Sequence, residues 1–302
     1  MKILVTGASS LPGFRTIEKA LEKGYEILAI YHKSPIPIEH KNLKKVKLDI
    51  CNLDDFKNII FKEKFDVIIH MAALGDVDLC EKDKILAWNT TVKPSIALAN
   101  WASKLQIFSI YLSTDYVFDG EIGNYLEYNV PNPINYYGLV KLIGEVAFSS
   151  SGSDYAILRA SSIYGLGPGR KNFAKFLIEK LENNEEVKAL IDQYTTPTHA
   201  KLLSEAILEI IERRLTGIFH ITGEKMSRYE FALKLAKTLG FNLELIKEAK
   251  MKDMKWIAKR PRDSSLNSEY TRKVLKVDFY SNAKAFEILN KEYLELKQGK
   301  IK

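Results

Sequence analysis

The chain has 302 residues, of which 46% are hydrophobic and 27% are charged, a balance typical of soluble globular domains and not of disordered or membrane-spanning chains. Its 45 basic and 38 acidic residues leave a net charge of +7, which suits an anionic partner without choosing among a nucleic acid, a lipid headgroup and a phosphorylated small molecule. The only cysteines, Cys51 and Cys80, exclude a disulfide framework and a cysteine-based zinc site, and we expect a cytoplasmic location.

The first half of the chain alternates short apolar runs with helical patterns. Between the first two runs, Phe14, Ile17 and Leu21 recur at helical spacing, and Gly24 follows as a C-cap. The runs cover residues 3–5, 27–30, 46–48, 67–69, 107–112 and 157–158. Because strands that alternate with helices form parallel sheets, the sequence predicts an α/β fold of the Rossmann type, with a doubly wound parallel sheet.

The pattern changes after residue 162. A glycine- and proline-rich loop at 165–169 is followed by helical stretches and a lysine-rich C-terminal third. We therefore expect a larger sheet domain at 1–162, to which one further strand near 217–222 returns, and mostly a smaller lobe at 163–302.

A glycine-containing turn, residues 6–13, links the first predicted strand to the first helix. Gly7 and Gly13 allow close approach of the backbone to a phosphate, whereas Ser10 stands where a three-glycine turn has its middle glycine. Such a short pattern is equally compatible with a dinucleotide site and with an ordinary strand-to-helix connection.

The end of the second predicted strand bears on the choice of dinucleotide. An acid about twenty residues beyond the last glycine would bind the ribose 2′-hydroxyl of NAD, but the chain has Tyr31, His32 and Lys33 there. A cation without an acid favours the 2′-phosphate of NADP. The alternative is that Lys33 is a solvated loop lysine.

Tyr137 and Lys141 form a YxxxK pattern in a helical stretch. Residues four apart share a helix face, and a nearby ammonium favours the phenolate, so Tyr137 is a candidate general acid toward a carbonyl oxygen. Thr114 follows the fifth apolar run, at the strand edge where sites of parallel sheets collect. Its hydroxyl is placed to bind the same carbonyl oxygen.

Further motifs extend these patterns over nearly the whole chain. They comprise residues 7–13, 71–73, 113–120, 135–138, 141–142, 144–145, 158–159, 163–165, 172–173, 192–193, 197–198, 217–220 and 260–261. The set resembles the extended short-chain dehydrogenase/reductase family, and most closely its dTDP-4-dehydrorhamnose reductase branch.

This resemblance implies NADPH-dependent reduction of the C4 keto group of a nucleotide-linked 6-deoxy-4-keto sugar, with NAD(H) open as a second cofactor. It implies that Thr114, Tyr137 and Lys141 are catalytic. The cofactor-binding residues that it implies are Gly7, Ser9, Ser10, Leu11, Gly13, Tyr31, His32, Lys33, Asp49, Ile50, Met71, Ala72, Ala73, Tyr137 and Lys141. The substrate-binding residues that it implies are Val77, Thr114, Tyr116, Asn172, Gln193 and Arg260.

Three positions depart from the family pattern. Ser162 replaces the usual tryptophan and Gly75 a frequent threonine, and both positions are expected to face the sugar, so the sugar's identity is open. Arg15 stands where many bacterial relatives have a glutamate suited to a metal-linked dimer. A homodimer is compatible with the resemblance, but we expect no metal bridge and no other metal site.

Residues 247–262 carry a local basic excess, which suits a sugar-nucleotide diphosphate; Arg260 is the functional candidate, and we expect Trp256 in the core. No nucleic-acid or membrane partner is expected.

Two alternative functions stay open. The non-catalytic regulatory subunit of methionine adenosyltransferase also resembles this branch, and a related sugar-nucleotide epimerase would need retained NAD and a second acid/base group.

Overall fold

The computed structural model describes residues 1–299, and elements within them are numbered in chain order. The strands are β1 (Lys2–Thr6), β2 (Glu26–Tyr31), β3 (Leu43–Lys47), β4 (Val67–His70), β5 (Phe108–Thr114), β6 (Tyr155–Tyr164), β7 (Val187–Leu190), β8 (Tyr194–Thr195), β9 (Pro197–His199), β10 (Gly217–His220), β11 (Met226–Ser227) and β12 (Ile246–Ala249). The α-helices are α1 (Leu11–Glu22), α2 (Leu53–Lys62), α3 (Val77–Lys82), α4 (Lys84–Ala87), α5 (Lys93–Leu105), α6 (Tyr136–Ser149), α7 (Phe173–Glu182), α8 (Ala200–Arg213), α9 (Arg228–Leu239), α10 (Glu269–Val274) and α11 (Asn282–Lys297).

Eight strands form one parallel sheet. Seven of them follow the order β10-β6-β5-β4-β1-β2-β3, and β9 pairs with the C-terminal part of β6. The chain winds outward from β1 in one direction and from β4 in the other, so the order reverses between β1 and β4. Ligands of such sheets bind in the crevice at this reversal, beyond the carboxyl ends of the strands. The architecture confirms the predicted doubly wound fold.

Apolar residues cover both faces of the sheet. In β1, Ile3 and Val5 belong to the core beneath α1 and α8, whereas Leu4 belongs to the core beneath α2 and α5. This two-sided burial explains why the central strands are continuous apolar runs. Among residues 1–299, no helix is long and apolar enough to cross a lipid bilayer.

The lobe shares one of these cores. Tyr164 at the end of β6 contacts Phe231 of α9 with ring centroids 4.9 Å apart, and Phe286 of α11 packs against both rings. Small pairs, β7 with β12 and β8 with β11, complete the lobe. After residue 162, β9, α8 and β10 belong to the sheet layer, and the division at that residue stays a prediction.

β6 is much longer than the apolar run at 157–158 indicates. It continues through Arg159 and Ser161, both of which are buried. Arg159 pairs with Glu145 from α6, and the Ser161 N–H donates to the Thr198 hydroxyl at 3.1 Å. Because their partners come from distant parts of the chain, a polarity pattern cannot reveal these buried positions.

Candidate active site

The turn between β1 and α1 is tightly packed. Gly7 has φ +67°, and a Cβ there would lie 2.7 Å from the Ala72 nitrogen. A Cβ on Gly13 would lie 2.5 Å from the Gly7 carbonyl oxygen. Ser10, in place of a glycine, has φ −72° and caps α1 by accepting from the Gly13 N–H at 3.2 Å. An ordinary φ explains why glycine is not needed at position 10.

The residues expected around the adenosine lie at the carboxyl ends of β2 and β3. Tyr31 ends β2, and the exposed side chains of His32 and Lys33 follow it. The His32 Nε2 is 3.8 Å from an Asp49 carboxylate oxygen, and Ile50 is buried beside it. A hydrogen bond from the Cys51 N–H lowers the pKa of Asp49, with smaller contributions from His32 and Lys33. The structure therefore groups these predicted cofactor residues.

Met71, Ala72 and Ala73 follow β4 on the other side of the crevice. The Thr6 hydroxyl accepts from the Met71 and Ala72 N–H groups, each at 3.3 Å, and lies 2.7 Å from the His70 Nδ1. These bonds fix the segment after β4 against the glycine turn. Hydrogen bonds of Thr6 thus join the two walls of the crevice.

The start of α6 brings the predicted catalytic residues to β5. Asn135 caps the helix by accepting from the Gly138 N–H at 2.8 Å. A Cβ on Gly138 would lie 2.0 Å from the Tyr116 carbonyl oxygen, so glycine is needed for this approach. Tyr137 consequently lies beside Thr114, the last residue of β5.

Burial raises the pKa of the Tyr137 phenol, and a hydrogen bond with Thr114 opposes that shift. The Tyr137 pKa is therefore raised, and not lowered as the proximity of Lys141 in the sequence predicts. The Lys141 Nζ lies instead over the Tyr111 ring, 4.1 Å from its centroid. The free protein therefore holds Tyr137 in its protonated form, which is the form that a general acid requires.

Lys141 is only 3% exposed. Burial lowers its pKa from the ordinary 10.5 to about 7, although Glu145 one turn later in α6 opposes the change. Burial of an ammonium favours the neutral amine, and here it outweighs the effect of Glu145. This residue can therefore change charge near neutral pH.

The low pKa of Lys141 predicts a pH dependence of stability. Between pH 7 and 10.5 the unfolded chain holds a proton on Lys141 that the folded chain has lost, so the free energy of unfolding rises with pH across this window. Urea unfolding near both ends of the window measures the rise. Lys141→Met is expected to reduce it, and an unchanged pH dependence in that variant would contradict the assignment.

A buried ion pair fixes α6 to the sheet. The Arg159 Nη2 lies 2.8 Å from Glu145 Oε2, and its Nε donates to Oε1 at 3.0 Å. Ser113, one residue before Thr114, donates to the same carboxylate at 2.5 Å. Glu145 and Arg159 therefore position the helix that carries Tyr137 and Lys141. Both occur among the sequence motifs, but only the fold pairs them.

Asp115 is a further buried acid beside the predicted triad. It accepts from the hydroxyls of Thr114 at 3.1 Å, Ser161 at 2.8 Å and Ser264 at 2.5 Å. Burial raises its pKa. These bonds join β5, β6 and the lobe behind Thr114, and they leave Asp115 engaged as a structural acceptor.

Most predicted substrate residues line one cleft of about 480 Å³ between the sheet and the lobe. They are Tyr116, Asn172, Gln193 and Arg260. Val77 lies in an adjoining depression that Arg260 also lines, and the Arg260 Nη2 is 3.0 Å from Asp78 Oδ1. Thr114 ends β5 two residues before Tyr116.

The cleft also contains residues that the sequence did not assign to it. Trp256, expected in the core, is half-buried and lines the cleft with the Arg260 guanidinium 5.4 Å from its ring. Arg228 and Phe173 lie at the same cleft. Ser162 has φ +44° where β6 is irregular, and its small side chain leaves the cleft open.

Comparison with known proteins places the chain in a family. Residues 1–293 match the family model described as the RmlD substrate binding domain. The probable low-salt glycan biosynthesis reductase Agl14 of Haloferax volcanii is 32% identical, over 88% of this chain and 90% of that protein. Methionine adenosyltransferase 2 subunit beta of Xenopus tropicalis is 33% identical, over 80% of this chain and 72% of that protein.

Solved structures give the same relationship. A hypothetical dTDP-4-dehydrorhamnose reductase from Sulfolobus tokodaii is 38% identical, covers 93% of this chain and 97% of its own, and has a TM-score of 0.83. The dTDP-4-dehydrorhamnose reductase from Bacillus anthracis, solved in complex with NADP, is 26% identical over 97% of this chain and 99% of its own, with a TM-score of 0.85. The chain belongs to the RmlD family, the dTDP-4-dehydrorhamnose reductase branch of the extended short-chain dehydrogenases/reductases, which confirms the resemblance seen in its motifs.

Proposed function

We propose that the protein reduces the C4 keto group of a nucleotide-linked 6-deoxy-4-keto sugar, as in the conversion of dTDP-4-dehydrorhamnose to dTDP-rhamnose, with NADPH as the reductant. The observation that carries this proposal is the position of Tyr137 and Lys141 on α6 beside Thr114, at the crevice where the strand order reverses. The similarity to the reductases described above supports the same reaction.

The residues at the crevice fit NADP(H). The glycine turn leaves no space for a side chain at Gly7 or Gly13, as a backbone that approaches a pyrophosphate requires. Lys33 supplies a cation and His32 a ring N–H at the end of β2 for a 2′-phosphate, and NADP is the ligand of the Bacillus anthracis relative. NAD(H) stays open as a second cofactor. When bound, NADPH supplies the hydride for the carbonyl carbon.

Each side chain of the triad then has its own role in the proton transfer. Tyr137, kept protonated by burial, donates its proton to the carbonyl oxygen as negative charge develops there. The Thr114 hydroxyl, which donates to Asp115 in the free protein, turns to donate to the same oxygen and orients it. Lys141, one helical turn from Tyr137, stabilises the phenolate when it carries its proton.

The cleft beside Tyr116 fits an anionic sugar nucleotide. Arg228 and Arg260 supply cations for a diphosphate, which guanidinium groups bind well. Phe173 and Trp256 supply aromatic surface on the same cleft. Ser162 leaves open space where relatives usually have a tryptophan that faces the sugar. The proposal therefore does not specify the identity or stereochemistry of the sugar.

The test is NADPH consumption by the purified protein with dTDP-4-dehydrorhamnose. We expect one NADP to be released for each sugar reduced, and a slower reaction with NADH. Uridine-linked 4-keto sugars provide the comparison for the nucleotide. No consumption with any 4-keto sugar nucleotide would overturn the proposal, and NAD retained tightly through turnover would favour an epimerase instead.

A second candidate function is favoured by the match to methionine adenosyltransferase 2 subunit beta. In that case the chain would bind NADP and a catalytic subunit without reducing a sugar. Capture of a methionine adenosyltransferase by the purified chain, together with absence of keto-sugar reduction, would support this second function. The engaged state of Asp115 argues against its use as the second acid/base of an epimerase.

A cytoplasmic location and a homodimer without a metal bridge stay predictions. Arg15 supports the absence of a metal bridge at its position, because its Nη2 lies 2.9 Å from the buried Glu292 Oε1. Within the part of the chain that the structure describes, no cluster of three or more histidine, cysteine or acidic side chains could hold a metal ion.

A further inference from the structure

The first turn of α1 has one backbone donor free for a phosphate. Leu11 is its first residue, Pro12 has no N–H, and the Gly13 N–H donates to the Ser10 hydroxyl at 3.2 Å. Within residues 1–299, no group accepts a hydrogen bond from the Leu11 N–H. We call this N–H the phosphate seat, because backbone donors at a helix start bind phosphates.

A segment from the other half of the chain lies directly on this seat. Residues 165–170, which we call the glycine strap, contain Gly165, Gly167 and Gly169 with φ values of +139°, +133° and +98°. A Cβ on Gly169 would lie 2.7 Å from the Leu11 nitrogen, and one on Gly167 would lie 3.3 Å from the Leu11 Cδ1. The glycine strap therefore covers the seat at a distance that leaves no layer for a phosphate between them.

One half of the glycine strap is anchored by buried charges. The Leu166 carbonyl accepts from Arg15 Nη2 at 2.6 Å, and the Leu166 N–H donates to Glu292 Oε2 at 2.8 Å. Arg15 and Glu292 are themselves paired and buried. This half is consequently fixed to α1 and α11.

The other half, residues 168–170, makes an exposed contact across the crevice, and the Gly167 carbonyl between the two halves accepts from Lys175 Nζ. Arg170 donates from Nη1 to the Gly75 carbonyl at 2.7 Å and from Nη2 to Asp76 Oδ2 at 3.0 Å. The Arg170 side chain is 64% exposed and that of Asp76 is 42% exposed. Exposed ion pairs are weak, so this contact can open without disturbing the core.

We propose that the glycine strap is a gate over the phosphate seat, with Arg170, Gly75 and Asp76 as its latch. Arg170 releases the segment after β4, the strap lifts from Leu11 about its anchored half, and the dinucleotide enters. Reclosure then retains it. This inference rests on the proposed binding of NADP(H) and is independent of the identity of the sugar.

The test is the rate at which bound NADPH leaves the protein, followed by its fluorescence after mixing with excess NADP and without any sugar. Arg170→Ala is expected to raise this rate about three- to tenfold, as loss of an exposed pair and one hydrogen bond allows. Asp76→Ala should raise it in the same direction, and the double variant should be no faster than Arg170→Ala. Lys171→Ala, which removes the neighbouring exposed pair with Glu179, is the matched control.

The direction of the Asp76 effect separates a latch from a simple phosphate ligand. If Arg170 only bound the cofactor, freeing it from Asp76 would slow the release of NADPH, and that result would overturn the proposal. Unchanged release in Arg170→Ala would overturn it as well. Absence of NADPH binding would refute both the gate and the reductase, whereas failure to reduce a sugar would leave the release rates interpretable.

Two glycine variants test the strap itself. Gly169→Ala places a methyl group against Leu11, whereas Gly24→Ala, at φ +77°, meets no atom within 4 Å. Both substitutions strain the backbone, but only the first displaces the strap, so only Gly169→Ala should accelerate the release of NADPH. Thermal unfolding checks that both variants are folded. Equal release rates in the two folded variants would overturn the gate.

Discussion

Tyr137→Phe is expected to lower kcat for reduction of a 4-keto sugar nucleotide by about 10²- to 10⁴-fold, the contribution typical of a positioned general acid. Phenylalanine keeps the ring that packs edge-on against Tyr116, with centroids 6.1 Å apart, so the cleft is preserved and only the proton donor is lost. The measurement is steady-state NADPH oxidation at saturating substrate. A fluorescence titration with NADPH should show a far smaller change.

Tyr136→Phe is the matched control for this prediction. Tyr136 precedes Tyr137 on α6, but its ring lies under Lys84, 5.4 Å from the Lys84 Nζ, outside the triad. We expect nearly unchanged turnover in this variant. Equal rates for Tyr137→Phe and the unmodified protein would show that another group supplies the proton.

Arg159→Met is expected to lower the free energy of unfolding by about 3–5 kcal/mol, the usual cost of breaking a buried ion pair from one side. Both partners are almost fully buried, with Arg159 2% and Glu145 3% exposed. The substitution leaves the Glu145 carboxylate without its cation beneath α6. Urea unfolding of the protein without cofactor measures the loss.

A double variant distinguishes the effect of an unpaired buried charge from the effect of lost side-chain packing. Glu145→Gln combined with Arg159→Met removes the stranded charge and should recover much of the stability. Lys273→Met breaks the exposed pair with Glu269 and should cost at most about 1 kcal/mol. If Arg159→Met cost no more than Lys273→Met, the pair would not hold α6 in place.

Local patterns in the sequence determine the framework of the site. The apolar run of β1 and the spacing of Phe14, Ile17 and Leu21 record burial that each element experiences on its own faces. Tyr137 and Lys141 are four residues apart, so helix geometry alone places them on one face. The glycine turn is visible because close backbone approach excludes side chains at Gly7 and Gly13.

Only the tertiary structure decides the properties that depend on distant partners. Burial raises the Tyr137 pKa, opposite to the shift expected from Lys141, whose Nζ lies over the Tyr111 ring. No local pattern pairs Glu145 with Arg159, or sets the glycine strap on Leu11, since the partners come from separate elements. The sequence by itself therefore determines the fold class and the reactive groups. The tertiary structure decides the protonation of these groups, the ion pair that positions them and the covering of the first turn of α1, because these properties arise from desolvation and from contacts between separate segments.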